Sequence, residues 1–163
     1  MIKSLKNMLM AAVVAVVAAP LFAGTVLAED ITIDLAGEPA TLDPHKHWNP
    51  TSYYVYRNIF DNILTRDNDG NIVGQIATDW KQTSDSTLEL TIRKGVTFHD
   101  GEALEASDVA FSVKRITDKE FGSQQLGQFN KIIDASANGD VVTLTTDGPY
   151  PALMAQLVKL SVV

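Results

Sequence analysis

Apolar residues recur along the chain with two different periods, and each period predicts its own kind of element. Ile31-Thr32-Ile33-Asp34-Leu35 alternates apolar and polar, as does Thr87 to Arg93, where Leu88, Leu90 and Ile92 share one face. Both stretches predict strands. Gly95 breaks the second, and Val96 and Phe98 predict another short extended piece before the turn at His99-Asp100-Gly101. Lys131 to Ala135 and Val141 to Thr145 flank Asn138-Gly139. That pair predicts a tight hairpin turn, because both residues tolerate positive φ. Helical spacing appears elsewhere. Pro50-Thr51-Ser52 opens one helix, with Thr51 or Ser52 placed to cap it. On it Val55, Ile59 and Ile63 share a face, which Tyr53, Tyr56, Phe60 and Leu64 widen. Ser107 is placed to cap a second helix from Asp108 to about Thr117. Its buried face is Val109, Val113 and Ile116, and Asp108 sits in the first turn, where the helix dipole favours an anion. Pro151 opens a last short helix through Leu157. Residues 37–50 hold three prolines and read as a long ordered loop, and Asp67 to Asn71 is turn chemistry.

The first thirty residues follow a different rule. Lys3 and Lys6 precede an uncharged run from Met8 to Ala19, Pro20 interrupts it, and small residues lead to Val26-Leu27-Ala28. A positive start, a short apolar stretch and a small residue at the cut describe a secretory signal peptide over residues 1–28, cleaved after Ala28. A membrane span wants roughly 20 apolar residues, more than this run supplies. The chain has no cysteine, so it carries neither a lipid-anchoring cysteine nor disulfides. The expected location is therefore a bacterial periplasm.

Charge narrows the partners. Without Lys3 and Lys6, 20 acidic side chains face 11 of the 13 basic ones, a net charge of −9 on the expected mature part. Such an acidic surface excludes nucleic acid and anionic lipid as expected partners. The part after residue 28 is long enough for one modest core. The chain stops on the apolar run Leu160-Ser161-Val162-Val163, whereas domains usually end at an exposed surface. The expectation is a chain cut in mid-fold that exposes apolar surface.

Catalytic patterns are missing. There is no cysteine nucleophile, no Gly-x-Ser-x-Gly elbow and no Gly-Lys-Ser/Thr phosphate loop. An EF-hand starting at Asp67 would need glycine at its sixth position and glutamate at its twelfth, where Ile72 and Thr78 stand. His45 and His47 lie two apart in the proline-rich loop, but a metal site needs three or four converging ligands. They read as two solvated loop histidines, and no metal, cofactor or enzymatic activity is expected.

Three stretches, in order, resemble the bacterial extracellular solute-binding proteins of family 5. The first is Pro39-Ala40-Thr41-Leu42-Asp43-Pro44-His45, similar to the family's opening LDP segment. The second is Tyr56 to Leu64, leading to the Asp69-Gly70 turn. The third runs through Ala77-Thr78-Asp79-Trp80, Leu88 to Gly101 and Ala106 to Ser112. It departs mildly from the family at Thr78-Asp79 and at Ala103. Most of this signature reads as structural: Phe98 and Trp80 pack in the core and Asp108 serves a helix start.

The resemblance implies a periplasmic-binding-protein-like α/β fold of class II, with two lobes closing on a ligand, of which this chain holds only the N-terminal part. Residues 29–64 would begin the first lobe and carry a cleft-lining loop, and 65–163 would carry the signature. The loop after the LDP segment maps to His47, Trp48, Asn49, Pro50, Thr51, Ser52 and Tyr53. In peptide-binding relatives that loop meets the ligand. Trp48 and Tyr53 would offer aromatic faces, and Asn49, Thr51 and Ser52 hydrogen bonds. The implied role is the substrate-binding component of an ABC importer, monomeric at full length, delivering peptides to an inner-membrane permease. Nickel, haem, opine or sugar binding is the alternative within the family. An exported hydrolase, or a non-functional truncated product, is the alternative outside it.

Overall fold

Burial alternates strictly along two neighbouring strands, and that alternation fixes the main sheet. The computed structural model describes residues 31–163, so the proposed signal peptide lies outside the described residues. Leu35–Val163 makes one compact unit. Its elements are α1 (Pro50–Tyr56), β1 (Leu64–Arg66), β2 (Ile72–Gly74), β3 (Ala77–Ser84), β4 (Thr87–Ile92), α2 (Ala106–Thr117), α3 (Leu126–Phe129), β5 (Ile132–Asn138), β6 (Val141–Thr146) and α4 (Leu153–Leu157). The expected boundary at Leu64 falls on the first residue of β1.

Strands β3, β4, β6 and β5, in that spatial order, form an antiparallel sheet, and β1 pairs with β2. Leu88, Leu90 and Ile92 of β4 are buried beside Val142, Leu144 and Thr146 of β6. Leu88 pairs with Leu144 and Leu90 with Val142. Helix α2 covers this face with Val109, Val113 and Ile116, all fully buried, as their i, i+4, i+7 spacing predicts. Its helix begins at Ala106, two residues before the expected start. Ser107 is not the cap. Glu105 occupies that place, and its backbone N–H donates to Asp108 Oδ2 at 2.8 Å. Asp108 therefore serves the helix start as its position suggests.

Two strands carry bulges that interrupt a period-two pattern. In β5 the pairing slips between Ile132 and Asp134. Ile132 and Ala135, three residues apart, then both turn inward while Ile133 faces solvent. In β3 a slip between Ala77 and Asp79 does the same for buried Ala77 and half-buried Trp80. Trp80 packs against the core from that position.

The β5–β6 turn is one residue later than expected. Asn138 pairs with Val141, so Gly139 and Asp140 are the two loop residues. Only Gly139 has positive φ (56°), which is the arrangement of a type II′ turn and not of the type I′ turn that Asn-Gly suggests. At the β1–β2 hairpin, Asp67 Oδ1 accepts from the N–H groups of Asp69 and Asn71, and Gly70 takes a φ of 86°.

Residues 31–35 form no strand: Ile31 and Ile33 are exposed, and no described strand pairs with them. Alternation makes a strand only where a neighbour accepts its hydrogen bonds. The first helix is also shorter than expected. It ends at Tyr56, so Ile63 and Leu64 belong to the sheet side of the core, where both are fully buried, while Ile59 is exposed.

The apolar run at residues 160–163 is not left bare. Leu160, Ser161 and Val162 are buried, Ile63 N–H donates to the Leu160 carbonyl at 3.0 Å, and Val162 N–H donates to that of Asp61 at 2.8 Å. Where β2 passes into β3 the backbone closes on itself. A methyl group at Gly74 would overlap the Ala77 carbonyl oxygen, which is backbone and cannot swing aside. Gly74→Ala should therefore lower the unfolding free energy by about 1–3 kcal/mol, read from the urea midpoint, although alanine normally costs nothing at a strand position of ordinary φ.

Candidate functional site

The loop that leads into α1 is held from below by buried polar groups. His45 is fully buried, and its Nε2 lies 2.8 Å from the Ser161 carbonyl oxygen. A carbonyl only accepts, so Nε2 carries the proton and Nδ1 keeps a lone pair. Nδ1 is buried without a partner. Burial, chiefly, holds the imidazole below its ordinary pKa of 6.5. Around it, Ser123 Oγ donates to the His45 carbonyl at 2.6 Å, Gln125 Nε2 donates to that of Pro44 at 2.6 Å, and Ser161 Oγ donates to Asn62 Oδ1 at 2.9 Å. Arg115 of α2 grips both oxygens of Asp43, at 3.0 and 2.6 Å. That guanidinium holds the Asp43 carboxyl below the usual carboxylate range. His45 is thus a structural residue of the interior. It corrects the reading of two solvated loop histidines and leaves this pair unable to present two imidazoles to a shared metal. Among the described residues no three His, Asp or Glu side chains converge as metal ligands.

Above this base the predicted loop residues divide into two kinds. Asn49 caps α1: its Oδ1 accepts the Ser52 N–H at 2.7 Å, so neither Thr51 nor Ser52 is the cap. Pro50 follows at the first helical position, where its missing N–H costs nothing. Ser52 is fully buried, and its Oγ accepts the Ala40 N–H at 3.1 Å. Thr51 is half-buried on α1, and the half-buried His47 has its carbonyl 3.5 Å from Gln125 Nε2. Asn49 and Ser52 are therefore engaged in shaping the loop. Trp48 and Tyr53 make up the second kind. Both are half-buried, with ring centroids 4.6 Å apart. Tyr53 meets the ring of buried Tyr56 edge-on at 5.6 Å. Burial pushes the Tyr56 hydroxyl well above the usual phenol range.

Tyr53 also forms one wall of a cleft of about 290 Å³. The other walls are Arg57 at the end of α1, Thr65 and Arg66 of β1, and Val158 and Lys159 after α4. Lys159 Nζ lies 5.7 Å from the Trp48 ring, and the Arg57 guanidinium lies 5.2 Å from the Tyr53 ring. Sequence reasoning missed Arg57, Arg66 and Lys159. Nothing local marks them, since they meet Tyr53 only through the fold. A second concavity of about 240 Å³ is more apolar, lined by Ile59, Phe60, Val96, Phe98 and Val162 among others. Phe98, expected in the core, lies there half-buried.

Comparison with known proteins gives the class to which this α/β unit belongs. The family model described as bacterial extracellular solute-binding proteins, family 5 Middle, matches residues 71–162, and the chain belongs to that family. Protein XP55 of Streptomyces lividans is 31% identical over 138 residues, covering 83% of this chain and 25% of that protein. The periplasmic murein peptide-binding protein MppA of Escherichia coli K12 is 33% identical over 103 residues, 62% of this chain and 19% of that protein. Among solved structures, the binding protein AgaA of A. tumefaciens R10, in complex with agropinic acid, superposes with a TM-score of 0.72 at 24% identity, over 78% of this chain and 26% of that one. The chain thus spans a quarter or less of these two curated relatives, and its fold is part of a periplasmic-binding-protein fold.

Proposed function

We propose that this protein acts as the substrate-binding component of an ABC importer and captures peptides in the periplasm for an inner-membrane permease. Membership of family 5 supports the role, and the name of MppA, a murein peptide-binding protein, supports the ligand class. The observation that carries the reading here is the packing of Trp48 on Tyr53, which itself lines the Tyr53–Lys159 cleft. Half-buried aromatic faces beside a few polar groups are what a small-molecule site uses to hold a ligand. The buried His45 contact and the half-buried Asp43–Arg115 pair keep the loop in place before the ligand arrives, so little ordering cost falls on binding. Capture needs no bond to break, and relatives that bind solutes fit a non-enzymatic role.

Native mass spectrometry tests this reading on the 163-residue chain, after incubation with a defined mixture of free amino acids and di- to tetrapeptides. The expected result is retention of peptides at one per chain. Trp48→Ala should reduce the retained fraction about tenfold, on the scale that loss of a stacking aromatic carries. Retention of no solute, or equal retention by the variant, would contradict it.

A further inference from the structure

The cleft beside Tyr53 is positively charged in a protein that is otherwise acidic. The chain has 20 acidic and 13 basic side chains, yet three basic ones, Arg57, Arg66 and Lys159, line this single cleft and no acidic one does. None of the three forms a salt bridge among the described residues, whereas Lys94, Lys114, Arg115 and Lys131 each have an acidic partner. Like charges gathered without a counter-charge repel one another, and an anionic ligand would relieve that repulsion.

Each of the three cations is also held in place. Arg57 lies over the Tyr53 ring. Arg66 donates from Nη1 to the Gly70 carbonyl at 2.5 Å, across the β1–β2 turn. Lys159 Nζ lies 3.3 Å from Gln128 Oε1 and near the Trp48 ring. Each contact uses only part of the donor capacity. A guanidinium has five N–H groups and an ammonium three, so both arginines and the lysine have donors to spare. Planar guanidinium groups suit a carboxylate, which accepts two parallel hydrogen bonds.

We infer that this cleft selects solutes carrying a carboxylate, with Arg57 and Lys159 taking the anionic group while Trp48 and Tyr53 cover the adjoining chain of the ligand. This rests on the peptide-binding reading above and narrows it to the peptide's own C-terminal or side-chain carboxylate. Arg57 and Lys159 are then the residues that set specificity.

Calorimetric titration of the 163-residue chain with trialanine, its C-terminal amide and Ala-Glu-Ala tests the inference. Trialanine should bind about tenfold more tightly than the amide in low salt, and Ala-Glu-Ala more tightly still. The acid-to-amide preference should shrink as salt screens the cleft. Arg57→Gln and Lys159→Met should each bring it below about threefold. Equal affinity for acid and amide, or an undiminished preference in both variants, overturns the inference and leaves the peptide reading standing. Failure of all three peptides to bind overturns both.

Discussion

Replacing Leu144 by alanine should lower the unfolding free energy by about 3 kcal/mol. Leu144 is fully buried in β6, an inner strand of the sheet, where it faces Leu88 on one side and Ala135 on the other. Both neighbours are themselves fully buried, or nearly so, and sit on backbone that the strand ladders hold. The walls therefore cannot close fully on the space left behind, and the cavity adds to the lost transfer free energy. The measurement is urea unfolding followed by circular dichroism. The midpoint should fall with the slope unchanged, because the surface exposed on unfolding is nearly the same. A loss below about 1 kcal/mol would mean that the sheet relaxes around the gap, contrary to the packing described here.

His45→Ala should cost about 2–3 kcal/mol at neutral pH, through the loss of a fully buried ring and the orphaned Ser161 carbonyl. The same residue should make the protein acid-sensitive. In the unfolded chain the imidazole titrates at its ordinary 6.5, and in the folded protein burial holds it lower. Above 6.5 it is neutral in both states and contributes no pH dependence. As the pH falls below 6.5 toward the folded value, the unfolded chain takes up the proton more readily, so stability falls with pH in that window. The groups that face His45 oppose one another: the Ser161 carbonyl and Asp43 favour the charged ring, while Arg115 disfavours it. Asp43 adds a second loss at lower pH. Its carboxyl is held below 3.8 by Arg115, so its contribution is present above 3.8 and disappears as the pH falls through the folded value. Unfolding free energies measured between pH 7.5 and 5 should decline for the unaltered protein and decline less for His45→Ala. Parallel declines would show that His45 is not the group responsible.

The elements legible in the sequence are those whose burial follows a single period. Leu88, Leu90 and Ile92 alternate without interruption, as do Val142 and Leu144, and both strands stand where the pattern places them. Val109, Val113 and Ile116 mark α2 equally well. Strand β3 escaped because a bulge puts Ala77 and Trp80 three apart on one side, and three is a helical spacing. The cap of α1 was readable in principle. Pro50 lacks an N–H and suits the first helical position, which makes the preceding Asn49 the cap. The sequence pattern of residues 31–35 resembles a strand, but pattern alone does not supply the pairing partner.

The candidate site was readable only in part. The aromatic pair Trp48 and Tyr53 lies within one short segment, and the resemblance to family 5 pointed to that segment. The cations do not share it. Lys159 reaches the Trp48 ring from more than a hundred residues away, because Leu160–Val162 pairs with residues 61–63 and brings α4 beside β1. His45 gave no signal of burial, since a histidine in a proline-rich loop looks solvated until Ser161 and Ser123 close around it. Long-range contacts of this kind carry no local period.

The most direct test of the central claim, that solute binds at the Trp48–Tyr53 loop and its adjoining cleft, is chemical-shift mapping. The ¹⁵N-labelled protein would be titrated with trialanine. The account predicts that the largest amide shifts fall on Trp48, Tyr53, Arg57 and Lys159. Shifts centred instead on the apolar groove of Phe60, Val96 and Phe98, or spread evenly over the sheet, would contradict it.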